Sequence, residues 1–282
     1  MAGATSIDRE RARGAFDGYV AAYDDANPRI KLKIDHTYRV ARLCERIAKS
    51  LGLGDKDVDL AWLCGLLHDI GRFEQVRRFN TFNDGASVSH AKLGVEVLFG
   101  SPDAEPPSEP VVATADGRPA PGSIRTFLDD DVHDALIRTA VATHSDFRLP
   151  ADLDKRTRCF CDILRDADKI DIMNAVCLEP VEAIFGVDEQ AIDASPLSPA
   201  VVDAFNAHRT VRREERSHPA DYVVGFACFV FELVHPESRR IAREQGRVFE
   251  LLERPYTNGD TAKTIAAMAD HLRSWLDAHC AG

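Results

Sequence analysis

The apolar run Leu60 to Leu67 ends directly on a histidine–aspartate pair, His68-Asp69, and Ile70-Gly71-Arg72 follow. A run of that length is buried in almost any fold, so the imidazole and the carboxylate emerge at the edge of a core. An uncompensated carboxylate there is costly. If the run is a helix ended by Gly71, Asp69 also faces the negative end of the helix dipole, which adds to the cost. A bound metal cation removes both penalties. Two further positions complete a donor set: His36, and an aspartate in the string Arg165-Asp166-Ala167-Asp168-Lys169-Ile170-Asp171. Two imidazoles and two carboxylates suit a divalent ion of borderline hardness such as Mn2+, Fe2+, Co2+, Ni2+ or Zn2+. Such an ion lowers the pKa of its bound water from about 15.7 to about 7, which makes hydroxide available at neutral pH.

The elements that must present these residues read as helices nearly throughout. Ile7 to Tyr23 is an opening helix ended by Asn27-Pro28. From Ile34, the residues His36, Val40, Leu43 and Ile47 recur at helical spacing until Gly52 and Gly54. Asp55 is the expected N-cap of the helix that carries the apolar run to His68. A polar loop around Asn80 to Gly85 precedes a short helix over Val88 to Phe99. Residues 101–123 hold six prolines among acidic and small residues without periodicity, so they read as a surface excursion. Helices resume over Asp131 to Thr143, Arg156 to Val176, Pro199 to Arg213, Tyr222 to His235 and Thr261 to His279. Alternating β-branched segments are scarce. The expectation is one all-α domain over 1–282, with a core at about 30–176 and a C-terminal helical extension over 198–282.

At this point the chain resembles the HD superfamily of metal-dependent phosphohydrolases. The signature is a His, a His-Asp pair closing a buried helix, and a distant Asp. It spans Ile34 to Met173, and Leu66-Leu67-His68-Asp69-Ile70-Gly71 is its most specific string. The resemblance implies an all-helical HD-domain bundle, with His36 as first ligand, His68 and Asp69 as the pair, and Asp168 as the last. Asp168 is preferred to Asp166 because it follows Ala167, precedes Asp171 by three positions, and shares a helical stripe with Leu164 and Ile172. Asp166 is the fallback.

Two more histidines have the context of ligands in relatives that bind two metals. His90 opens His90-Ala91-Lys92-Leu93-Gly94, and His144 closes the apolar-periodic stretch Ile137 to Thr143. The alternative role for both is hydrogen bonding to substrate or to metal-bound water. The implied cofactor is therefore one or two divalent ions, Mg2+ included. Thr143-His144-Ser145-Asp146 departs from the paired histidines and Gly-Tyr-Pro loop of the cyclic-dinucleotide members, which argues against that substrate. Arg72 is the expected phosphate clamp, since its planar fork suits phosphoryl oxygens. Asp69, Arg72, His90 and His144 are the expected catalytic residues: Asp69 ligates the metal and orients or deprotonates the nucleophilic water, and His90 or His144 helps protonate the leaving group. Lys169 has a role at the site or is an exposed or structural charge. Arg77, Arg78 and Asn80 are expected on the loop between Arg72 and His90, which either covers the pocket or is a solvated basic loop. His133, His208, His218, His235, His271 and His279 read as structural or surface residues.

The implied activity is metal-dependent hydrolysis of a small phosphorylated substrate: a phosphomonoester, nucleotide or phosphodiester. The same six residues also occur in HD-fold oxygenases with two irons, which is the main rival, and a non-catalytic regulatory HD module is the third reading. Composition narrows the field further. The 282 residues carry a net charge of -11 and 45% hydrophobic residues, an ordinary globular balance whose field repels nucleic-acid polymers and anionic membrane surfaces. No apolar run approaches a bilayer span. Met1 to Glu10 has no leader pattern, and seven scattered cysteines read as reduced thiols without a metal, so a cytoplasmic protein is expected.

Overall fold

The computed structural model describes residues 6–24, 26–100 and 124–280. Every regular element among them is helical. The backbone divides into two compact units, Met1–Ala167 and Asp168–Gly282. The proline-rich stretch 101–123 lies outside the described residues.

The first unit is built from α1 (Arg9–Val20), α2 (Pro28–Ser50), α3 (Asp55–Leu67), α4 (Ile70–Phe79), α5 (His90–Phe99), α6 (Ile124–Phe127), α7 (Asp134–Thr143) and the start of α8 (Lys155–Leu178). Beyond its charged start α3 is apolar on every side, and Leu60 to Leu67 are all buried, so this stretch runs through the core of the unit. It packs against α2, α1 and α7. The approach to α2 is possible because residue 65 is glycine: a Cβ there would lie 2.7 Å from Cα of Ala41. α4 packs on α5 in the same way. A Cβ at Gly71 would lie 2.2 Å from the carbonyl oxygen of His90 and 2.4 Å from the amide nitrogen of Gly94. Phe73, at the centre of α4, meets Phe16 and Tyr19 of α1 edge-on at 5.9 and 6.0 Å, and this aromatic cluster closes the outer side of the core.

The structure corrects several sequence-based boundaries. α1 ends at Val20, before Asn27-Pro28, which instead starts α2: Asn27 accepts from the amide of Arg29, and Pro28 occupies the first turn of α2, where its missing N–H costs nothing. Gly54, not Asp55, is the N-cap of α3. Gly71 does not end the apolar helix. That helix stops at Leu67, and Gly71 lies inside α4, kept small by the contact with α5. Asp69 is therefore the residue that precedes α4, at the positive end of its dipole, and that favourable term opposes the penalty expected from the end of the apolar helix. Arg77 and Arg78 are not loop residues. Both belong to α4 and pair with the fully buried Glu74, at 2.6 and 2.5 Å.

The second unit begins within α8 and continues through α9 (Val181–Phe185), α10 (Glu189–Asp193), α11 (Pro199–Asn206), α12 (Pro219–Ala227), α13 (Pro236–Gln245), α14 (Arg247–Leu252) and α15 (Gly259–His279). The helix expected over Tyr222 to His235 instead ends at Ala227 and tightens into a 3-10 turn, Cys228–Glu232. α12 packs against α10, α11 and α14, and α15 against α13 and α14. Asp221 is fully buried and gathers the loop before α12, accepting from the backbone of Ser198, Ser217 and His218. The seven cysteines are free, and Cys44, Cys64, Cys161 and Cys228 are buried. No described helix is long and apolar enough to cross a membrane.

Candidate metal centre

The carboxylate of Asp69 stands between two pairs of imidazoles. Its Oδ2 is 3.4 Å from Nε2 of His36 and 3.5 Å from Nε2 of His68. Its Oδ1 is 3.4 Å from Nε2 of His90 and 3.7 Å from Nε2 of His144. All five residues are buried, with no more than 4% of their surface exposed. They come from α2, the α3–α4 junction, the first position of α5 and the end of α7.

The local folding of each element fixes which nitrogen faces inward. His68 and His144 use the same device. Each stands just past the end of its helix, and its Nδ1 donates back to the carbonyl three residues earlier: Gly65 at 2.7 Å and Val141 at 2.8 Å. A carbonyl only accepts, so Nδ1 carries the proton and Nε2 presents a lone pair. His90 reaches the same state by another route, with Nδ1 at 2.6 Å from the carboxylate of Asp84. The Nε2 atoms of His90 and His144 are 3.0 Å apart, and those of His36 and His68 are 3.2 Å apart. In the first pair both nitrogens have lone pairs facing each other and no proton between them. That contact is repulsive unless a cation lies between the nitrogens and the Asp69 oxygens. The donor set fits a divalent ion at each group, His36/His68/Asp69 and Asp69/His90/His144, whose ligating atoms lie within 4.8 Å of one another.

The electrostatics agree with the donor geometry. Burial raises the Asp69 pKa, but its charged surroundings, the ammonium of Lys33 foremost, hold it well below the usual carboxylate range. Burial lowers the His90 pKa to about 4, against the opposing pull of Asp84, so its ring is neutral at physiological pH. Both are the protonation states that a metal ligand requires.

Arg72, expected to clamp phosphate, has a second task here. Its Nη1 bonds Oε1 of Gln75, the carbonyl of Phe82 and Oδ1 of Asp84, which ties the 3-10 turn Asp84–Ala86 to α4. Gln75 adds bonds from its amide to Asp84, Ser87 and the carbonyl of Val88. Asp168 begins the second unit, on the helix whose earlier turns carry Arg165; its side chain is partly exposed, whereas Asp166 and Asp171 are buried.

Sequence reasoning missed Lys33, Asp84 and Arg165. Lys33 stands three positions before His36, a spacing that puts both on one helix face and could have flagged it. Asp84 sits in an aperiodic loop with no sequence signal for its partner. Arg165 is buried and donates to the carbonyls of Thr143, His144 and Asp146, closing the end of α7 where His144 stands.

Residues 34–173 match the model of the HD domain family. No curated protein and no solved structure matches the chain.

Proposed function

Because this chain belongs to the HD domain superfamily, whose characteristic activity is metal-dependent phosphohydrolysis, we propose that it hydrolyses a small phosphorylated substrate. His36, His68, Asp69, His90 and His144 hold one or two divalent ions in this reading, with Asp168 as the remaining ligand on the family motif alone. The observation that carries it is the sharing of one carboxylate: each oxygen of Asp69 faces the Nε2 atoms of a different imidazole pair.

A divalent ion bound there would acidify a coordinated water and stabilise charge on phosphoryl oxygens. Asp69 orients that water from a site where its own proton is already lost. His90 stays neutral down to about pH 4, which narrows its proposed role from proton donor to ligand. Arg72 and Lys33 border the carboxylate on its more open side and favour an anionic substrate over a neutral one.

Elemental analysis of the protein as purified, followed by a metal-supplemented screen over phosphorylated metabolites, tests the proposal. Asp69→Ala should lose bound metal and lower turnover by at least about a hundredfold. Unchanged metal content and turnover in that variant would sink it. Oxygen consumption by an iron-loaded sample without any phosphatase activity would hand the site to the oxygenase reading.

A further inference from the structure

Two cations share Asp69 with the imidazoles. Nζ of Lys33 lies 2.7 Å from Oδ2, and Nε of Arg72 lies 3.6 Å from Oδ1. Both also contact the ring of Phe82, Nζ of Lys33 at 5.5 Å and Cζ of Arg72 at 5.6 Å from its centroid, so the same aromatic side chain packs against both cations. The imidazole side chains retain 0–4% of their exposure, whereas Lys33 and Arg72 retain 16% each. Solvent therefore reaches Asp69 past the two cations, and a ligand arriving from solvent meets them first.

Neither cation is fully used. The ammonium of Lys33 has three donors, and Asp69 takes one. Arg72 commits Nη1 to the turn, yet its Nε is buried without a hydrogen-bond partner. A buried N–H of a guanidinium left without an acceptor is a defect that an anionic oxygen would repair. Lys33 also carries a cost in the metal-binding reading. An ammonium 2.7 Å from a ligand oxygen repels a divalent ion at His36, His68 and Asp69 and weakens its binding. A residue that weakens the metal makes sense at this position if an anion comes to lie beside it.

We infer that Lys33 is a substrate-binding residue, and that with Nε of Arg72 it forms the corner that receives a phosphoryl group at Asp69. The inference rests on the phosphohydrolase reading and makes it specific. The substrate must carry anionic non-bridging oxygens that reach the carboxylate edge over Phe82, and the rest of the molecule must extend away from the imidazoles.

The experiment measures two affinities in purified full-length protein: Mn2+ for the stripped protein, and inorganic phosphate for the Mn2+-loaded protein. Lys33→Met should bind Mn2+ several-fold tighter, because a like charge is gone, while phosphate weakens by about tenfold and KM for a phosphoester rises more than kcat falls. Lys33→Arg should restore phosphate binding. Opposite changes in the two affinities are the signature, since damage to the fold would weaken both. Phosphate affinity within twofold of the parent in Lys33→Met would leave Lys33 a counterion of Asp69 and overturn the inference, as would a loss of Mn2+ affinity. If the parent protein binds Mn2+ but neither binds phosphate nor hydrolyses any phosphoester, the phosphohydrolase reading fails first, and the inference goes with it.

Discussion

The carboxylate of Asp84 lies 2.6 Å from Nδ1 of His90, and Arg72 and Gln75 hold that carboxylate in place from α4. The bond sets the tautomer of His90, aims Nε2 at the Asp69/His144 side, and makes the ring a better electron donor. Arg72, Asp84 and the α5 histidine thus act in series. Asp84→Asn keeps the shape but removes the charge. It should cost about 10- to 100-fold in metal affinity at the His90/His144 group and spare the His36/His68 group. After dialysis against a weak chelator, metal stoichiometry would drop by up to one equivalent. Parent-like stoichiometry and affinity would show that Asp84 does not tune the ligand.

Gly71→Ala tests the packing that sets His90 on α5. The added methyl would fall 2.2 Å from the His90 carbonyl oxygen and 2.4 Å from the amide nitrogen of Gly94, both backbone atoms that no side-chain rotation can move away. α4 and α5 must then separate, at a cost of about 1–3 kcal/mol or more. Urea denaturation should show that loss, and metal affinity should fall with it because His90 moves. Gly14→Ala is the matched control. Gly14 lies inside α1, and a methyl added there would have nothing within 4 Å, so the change should stabilise by about 0.5–1 kcal/mol.

Arg165 offers a separate test of the same metal group from the α7 side. Its guanidinium closes three carbonyls at the end of that helix, including the one belonging to His144. Arg165→Gln should cost about 1–2 kcal/mol and loosen His144, lowering metal affinity at His90/His144 more than at His36/His68. Equal losses at both groups would assign Arg165 to general stability alone.

The readable part of this protein was the part with period and burial. Leu60 to Leu67 announces a core helix by apolarity alone, and the polar pair at its end announces a conflict that needs a cation. His36 and His144 stand on stripes with helical spacing, so their inward aim followed. What was not legible depends on tertiary approach. Gly71 read as a helix stop because glycine often is one; only the nearness of His90 and Gly94 shows that it is there to let α5 in. The helix break at Leu67 sets Asp69 at the start of a second helix, whose dipole opposes the penalty expected from the first. Asp84 partners His90 from an aperiodic loop, and local pattern carries no trace of that pairing. In the second unit, α13 and α14 went unread because the sequence between Pro236 and Leu252 is strongly charged, with its apolar face reduced to a few residues such as Ile241, Ala242, Val248 and Phe249.

The acid limb of stability should carry the mark of His90. Burial holds its folded pKa at about 4, below the ordinary 6.5 expected for the unfolded chain. Between those two values the unfolded chain binds a proton that the folded one refuses. The stability contributed by the neutral ring is therefore full above pH 6.5, declines as pH falls through the window, and reaches its minimum below about 4. Asp69 and Asp84 act later: both are held below the ordinary carboxylate value, so their contribution is present above it and is lost only as pH falls towards their folded values. Thermal midpoints measured in EDTA from pH 7.5 to 4.5 should fall for the parent protein. His90→Gln, which cannot take up that proton, should fall less steeply between pH 6.5 and 4.5 even though it starts lower. Parallel curves would mean that His90 titrates alike in both states, and that the Nε2 facing Asp69 and His144 is not kept neutral by the fold.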